Sequence, residues 1–417
     1  MRAKQVFTPG GFPQHTFVGE HLGDKEDALR QALDMGNVVI SLSGPSKSGK
    51  TVFVQSVVGN DNLIHVTGAG VSDPKQVWEQ VFYIIGTPLE TVTTEEQGVG
   101  VKGEGKISGK ASALFASAEA EGSVGGEVTR KTGQSERGAV DHLQLLIREL
   151  GNQDFVIFID DFHYIEAAAQ VELSKQIKEA VRNGVKIVCA SVPYHSDDVL
   201  RANPDLRGRV MAIDLDYWTP AVLKDIARKG FQALNLTFDD SLIGTLADEA
   251  AGSPQLMQSL CLFCCYQVKV SERVETPEQL PVDQGYVTRV CESVAAMNDY
   301  SSTYDRMKEG PKIRGRARTA YLLKDDSVVD VYPIVLKAIA LDPPMLTFRY
   351  AELLGRIEFL CKNDAPSGSS VTGTCAHIAF IANESANQSV MEWDESGDVL
   401  DIRDPYLLFY LRWGADE

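Results

Sequence analysis

Gly44-Pro45-Ser46-Lys47-Ser48-Gly49-Lys50-Thr51 is the stretch on which the reading of this chain turns. It fits the pattern G-x-x-x-x-G-K-[ST] in full. Val38 to Leu42 (VVISL), just upstream, is apolar and β-branched and predicts a strand, while Thr51 to Val58 predicts the start of a helix. Strand, glycine loop and helix in that order make a phosphate cradle. Glycines let backbone N–H groups curl around phosphate oxygens, and the following helix N-terminus adds the positive end of its dipole. Lys50 is placed to reach β- and γ-phosphates, and Thr51 to set its hydroxyl on Mg2+.

The second half of such a site is a buried strand that ends in carboxylate. Phe155-Val156-Ile157-Phe158-Ile159 is continuously apolar, as expected of a parallel strand covered on both faces, and it runs into Asp160-Asp161. Asp160 is the natural partner of the Mg2+ ion. Asp161, one residue on, stands where a base or water-positioning carboxylate belongs. Taken alone, a paired Asp after a strand reads equally as a helix cap and a loop charge; with the Gly44–Thr51 loop it reads as a metal and water site.

Composition narrows the class. Hydrophobic residues make up 44% of 417, ample for a soluble chain of several domains, and no apolar run approaches a membrane-spanning helix of about 20 residues. The segment MRAKQVFTPGGFPQHTF lacks the apolar stretch of a secretory signal, so the expected location is the cytoplasm. The seven cysteines form no tandem C-x-x-C pairs, and Cys261, Cys264 and Cys265 read as core residues of an apolar helix. A net charge of −18 repels nucleic acid overall. The one basic run, Lys312, Arg314, Arg316 and Arg318 in PKIRGRAR, reads either as a local phosphate-binding patch or as a solvated linker.

Along the chain, further strands are expected at Asn62–Val66, Val185–Val192 and Arg209–Leu215, alternating with helices at Asp24–Met35, Pro74–Ile85, Ala139–Leu150 and Glu166–Asn183. That alternation makes a parallel α/β P-loop NTPase core over residues 1–215. A helical lid follows over 216–300, with helices at Pro220–Leu234, Asp239–Ala250 and Gln255–Val268 and a break at Gly252-Ser253-Pro254. Residues 271–327 read as polar and turn-rich, with a linker at 301–327. In 328–417, helices are expected at Val331–Ala340, Phe348–Leu360 and Thr372–Asn383, then a hairpin around the turn Asp394–Asp398: the order of a winged helix with the hairpin as wing.

This order of parts resembles the AAA+ and STAND ATPases, and within them the origin-recognition-like ATPases, over roughly residues 15–410. The resemblance implies ATP and Mg2+ as cofactors and a slow ATPase used as a switch, the family's usual Asp-Glu being Asp160-Asp161 here. It places Arg207 or Arg209 as an arginine finger reaching a neighbour's γ-phosphate, Ser191 at the sensor position where the family often has Asn, and Pro254 as the lid residue contacting nucleotide. It implies a homo-oligomeric ring, and a bacterial anti-phage defence sensor or effector triggered by a phage or other protein. The alternative is a DNA-associated ATPase, an origin-recognition-like loader or transposition regulator. Against DNA, the third helix of the winged-helix segment, TGTCAHIAFIAN, has no Lys or Arg.

An insertion over 92–136 interrupts the core. Val99 to Ala113 alternates small or apolar residues with Lys102, Glu104, Lys106, Ser108, Lys110 and Ser112; the phase switches after Leu114-Phe115. A turn there sets Lys110 opposite Glu119 and Lys102 opposite Glu127, which supports a β-hairpin over 99–128. With about 15 residues per strand, such hairpins from several subunits would close into a barrel long enough to cross a membrane. A short Ala-rich helix, a disordered loop, and a hairpin serving soluble oligomerisation are the competing readings.

Overall fold

A computed structural model of the protein describes residues 1–88, 141–192, 208–298, 300–312, 317–386 and 389–415. The 92–136 insertion, with its hairpin reading, lies outside the described residues, as do Arg207, Arg314 and Arg316. The chain divides into two units, one of Lys25–Ser43 and Val54–Asp214, the other of Met1–Asp24, Gly44–Phe53 and Leu215–Glu417.

The apolar runs of the first unit pair into a five-stranded, all-parallel sheet. Strands β1 (Val39–Ser43), β2 (Leu63–Thr67), β3 (Val156–Asp160), β4 (Lys186–Ser191) and β5 (Val210–Asp214) stand in the order β2-β3-β4-β1-β5. Central strands are covered on both faces, so β1 is buried at every position, β3 until Asp160 and β4 from Ile187 onward. The edge strand β2 shows the alternation of a half-covered surface, with Ile64 and Val66 inside and His65 and Thr67 outside. Helices α1 (Gly23–Met35), α2 (Lys50–Val58), α3 (Pro74–Ile85), α4 (His142–Leu150) and α5 (Ala167–Arg182) connect them. In α3, Asp73 accepts from the Lys75 N–H at 2.9 Å, Pro74 opens the first turn, and Gly86 at φ 77° closes the last. Its Val77, Trp78, Val81 and Phe82 are fully buried, worth about 1.5–3 kcal/mol each. The Trp78 indole donates to Gln176 of α5 at 2.6 Å.

The second unit has two apolar cores. Helices α6 (Pro220–Ala233), α7 (Asp240–Glu249), α8 (Pro254–Gln267) and α9 (Gln284–Ala295) build the first, capped by Thr219, Asp239, Ser253 and Asp283. Cys261, Cys264, Cys265 and Cys291 lie inside it, beside Leu246, Met257 and Leu260. Residues 1–24 add Ala3, Val6 and Phe7, with Phe7 edge-on to Phe231 at 5.2 Å between ring centroids. The 271–327 stretch, which reads as turn-rich, contains α9 and α10 (Ser301–Glu309). Helix α9 forms because Tyr286, Val287, Val290, Cys291 and Val294 share one buried stripe behind the Asp283 cap.

The second core belongs to α11 (Val331–Ala340), β6 (Thr347–Arg349), α12 (Tyr350–Leu360), α13 (Gly368–Ala386), β7 (Met391–Asp394), β8 (Val399–Ile402) and α14 (Pro405–Trp413). Strands β7 and β8 are the hairpin around Asp394–Asp398, and β6 joins them in an antiparallel sheet of order β6-β8-β7. Phe348, expected to start a helix, instead pairs with Leu400 in this sheet, and α12 begins at Tyr350. Among the described residues no helix is long and apolar enough to cross a membrane.

Candidate functional site

The loop after β1 has the backbone of an anion cradle. Lys47 is left-handed at φ 61° and Gly49 has φ 92°, a sign pattern that turns successive N–H groups toward one side. Helix α2 starts at Lys50, its first turn closed by the Phe53 N–H on the Gly49 carbonyl at 2.8 Å. Gly44 must lack a side chain for a different reason: a Cβ there would stand 2.9 Å from the Leu215 Cβ. Lys50 is buried, and its ammonium donates to the carbonyls of Gly44 at 2.9 Å and Pro45 at 3.0 Å. Ser48 is buried with its hydroxyl unpartnered, 3.1 Å from where a Gly44 Cβ would stand. Thr51 follows on the first turn of α2, half-buried.

The same unit brings residues at the starts of α6 and α8, in the segment expected to be a lid, onto this loop. The Trp218 indole N–H donates to the Ser48 carbonyl at 3.1 Å, and the Ser253 hydroxyl to the Lys47 carbonyl at 3.4 Å. Pro254 follows: a Cβ on Gly49 would lie 3.8 Å from its Cγ. Pro45 and Ser46 complete the loop between Gly44 and Lys47.

In the sheet unit, the parallel register sets Ser43 beside Ser191 and Asp214, and Thr67 beside Asp160. The carboxyl edge of the sheet therefore carries Ser43, Asp160, Ser191 and Asp214 together, and the Gly44 loop is the direct continuation of β1 from that edge. The Ser43 hydroxyl donates to Asp214. Asp161 takes the left-handed conformation at φ 56° and ψ 39°, and its N–H donates to the Asp160 carboxylate at 3.0 Å. The Gly68 N–H donates to the Asp160 carbonyl at 2.7 Å, and His65 Nε2 stands 3.5 Å from Asp160 Oδ2. Arg209 lies elsewhere: it is exposed, precedes β5, and its carbonyl accepts from Val39 at the start of β1 at 2.8 Å. It thus sits at the amino edge, a strand length of about 16 Å from the carboxylate edge.

Residue patterns pointed to the loop and to Asp160 and Asp161, and the family resemblance to Pro254. They did not point to Trp218, Gly68 or His65. Ser253 carries a readable signal, as a cap just before a proline.

No protein-family model matches this chain, and no curated protein matches its sequence. Solved structures do. The Walker-type ATPase PABY2304 of Pyrococcus abyssi is similar with a TM-score of 0.52 and 14% identity, over 95% of each chain. The ORC2 protein of Aeropyrum pernix, solved as ADPNP and ADP complexes, has a TM-score of 0.50 and 11% identity, over 98% of this chain and 96% of that one. The fold is that of an ORC-like P-loop NTPase. At these identities the likeness carries the fold and not the chemistry, which rests on the residues above.

Proposed function

We propose that this chain is an AAA+/STAND-type ATPase that works as a nucleotide-driven assembly switch. The observation that carries the reading is the Lys47–Lys50 backbone, with its alternating left-handed residues, its helix start and the unpartnered Ser48 hydroxyl. Magnesium ATP is the ligand proposed, supplying a hydrolysable phosphoanhydride as the reset. The backbone N–H groups of Ser46 to Thr51 would hold phosphate, Lys50 would neutralise it, and Thr51 and Asp160 would hold the metal. Asp161 orients the attacking water. Ser191, on the same sheet edge, senses the terminal phosphate, and Pro254 with Ser253 reports occupancy to the lid. The ORC2 neighbour, solved with ADPNP and ADP, supports a nucleotide as ligand.

Arg209 at the opposite sheet edge supports assembly, because a residue there is better placed to serve a neighbouring subunit than its own Asp160. Arg207 has the same proposed role. Helix α13 favours a protein contact over DNA as output: its exposed residues include Gly373, His377, Phe380 and Glu384, none of them Lys or Arg. Phage defence, with the 92–136 segment as effector, is the setting proposed, and dye release from liposomes by assembled protein tests that step.

Particle mass with and without a non-hydrolysable ATP analogue, beside Lys50→Ala, tests the switch. A nucleotide-dependent ring absent in the variant is expected. A wild-type protein that binds no nucleotide would end the reading; one that binds nucleotide, stays monomeric and binds duplex DNA with steep salt dependence would replace it with the DNA-associated alternative.

A further inference from the structure

The lid contacts described above fix more than the position of Pro254. A trans peptide unit is planar, with its C=O and the next N–H antiparallel. Holding the Ser48 carbonyl therefore aims the Gly49 N–H, and holding the Lys47 carbonyl aims the Ser48 N–H. Both carbonyls are held from the lid side, by the Trp218 indole at 3.1 Å and the Ser253 hydroxyl at 3.4 Å. These are the peptide units flanked by the left-handed Lys47 and by Gly49.

Trp218 is itself anchored. Its backbone N–H donates to the Gly252 carbonyl at 3.1 Å, which ties it to the turn that presents Ser253. His21 meets its ring edge-on at 4.4 Å between centroids. Gly252, at φ 81°, leaves no room for a side chain, since a Cβ would lie 2.9 Å from the Tyr217 Cβ. The 217–218 segment and the 252–254 turn thus form one clamp whose two donors both end on the phosphate loop.

The geometry points to Trp218 as a positioning residue for phosphate binding: its indole N–H holds the Ser48–Gly49 peptide so that the Gly49 N–H faces the β-phosphate of a nucleoside di- or triphosphate. The inference rests on the nucleotide reading above. A loop held this way before the ligand arrives loses less freedom when phosphate binds, which raises affinity without adding a contact to the ligand.

Trp218→Phe keeps an aromatic side chain at this position and removes the indole N–H together with its five-membered ring. Binding of fluorescent ATP, with unlabelled ATP, ADP and AMP as competitors, should show affinity for ATP and ADP down about fivefold, the worth of one hydrogen bond. AMP, which lacks a β-phosphate, should compete as well as against wild type, and the thermal midpoint without nucleotide should fall by no more than about 2–4 °C. Amide exchange over residues 44–53 in the nucleotide-free variant should be faster. Unchanged exchange there, or unchanged ATP affinity, would overturn the positioning role. So would an equal loss for AMP with a midpoint lowered by more than about 4 °C, which is the signature of a loosened lid. Wild-type protein that binds no nucleotide, beside an equally silent Lys50→Ala, would instead remove the underlying nucleotide reading, and the exchange arm would still decide whether Trp218 holds the loop.

Discussion

Arg412→Met should be among the most destabilising single substitutions in the second unit. Arg412 and Glu249 are each 7% exposed and face one another through bonds of 2.6 and 3.0 Å. Arg412 also donates to the Ala340 carbonyl and to Asp342, each at 2.6 Å, and the Trp413 indole donates to Glu249 at 2.7 Å. The Asp342 bond is worth little, because that carboxylate is 85% exposed. Methionine in place of Arg412 leaves Glu249 buried with its counter-charge gone, a loss of about 3–5 kcal/mol. Removing both charges is cheaper: Glu249→Leu with Arg412→Met should cost about 1–2 kcal/mol, less than either single change. Urea unfolding followed by tryptophan fluorescence measures all three. A single-variant loss below about 1 kcal/mol, or a double variant that costs the sum of its parts, would refute the reasoning.

Three further expectations concern other sites. Gly68→Ala places a Cβ 2.6 Å from the Asp161 carbonyl oxygen and 2.9 Å from Ile165, so urea unfolding should show a loss of about 1–3 kcal/mol. Burial raises the Asp401 carboxyl above the ordinary range and the Thr347 hydroxyl offsets this in part. A carboxyl raised in the folded state contributes stability at low pH that is lost as pH rises through its folded pKa, so Asp401→Asn should raise the thermal midpoint near neutral pH, with the gain vanishing near about pH 3. All seven cysteines are free and buried, and burial pushes the thiols of Cys189, Cys264 and Cys375 up to about 12. Iodoacetamide at about pH 8 should leave them unmodified in native protein and label them in urea, as mass spectrometry would record.

What was legible in the sequence is what local chemistry fixes. The Gly44–Thr51 loop needs its glycines and lysine within one turn of chain, and β1 and β3 are central strands whose two covered faces force continuous apolar runs. Asp160 was visible because it ends such a run. Trp218 was not, because its partner Ser48 is 170 residues away and nothing in Asp216-Tyr217-Trp218-Thr219 announces that contact. Gly68 was hidden likewise: the atom that forbids its side chain is the carbonyl oxygen of Asp161, on another strand's end. Phe348 misled because it lies just ahead of the helical run that begins at Tyr350, and strand pairing with Leu400 overrode that reading.

The loop's contacts also bear on the switch proposed above. Gly44 rests against Leu215, Ser48 and Lys47 accept from Trp218 and Ser253, and Gly49 faces Pro254. A ligand shifts an equilibrium only by its differential affinity for the two states, so the residues that register occupancy must touch the loop that binds. Here those residues are on the lid side and precede helices α6 and α8, whose first turns start at Pro220 and Pro254. A bound phosphate that redirects the Ser48 or Gly49 peptide therefore acts first on the starts of two lid helices. For a switch, the affinity difference needed is large: moving an equilibrium from 1:99 to 99:1 takes about 5.5 kcal/mol. Two hydrogen bonds at about 1 kcal/mol each fall short of that. The lid clamp can set the loop's shape and bias the lid, but a full transition must draw on further differential contacts, which the assembly proposed above through the Arg209 edge would supply.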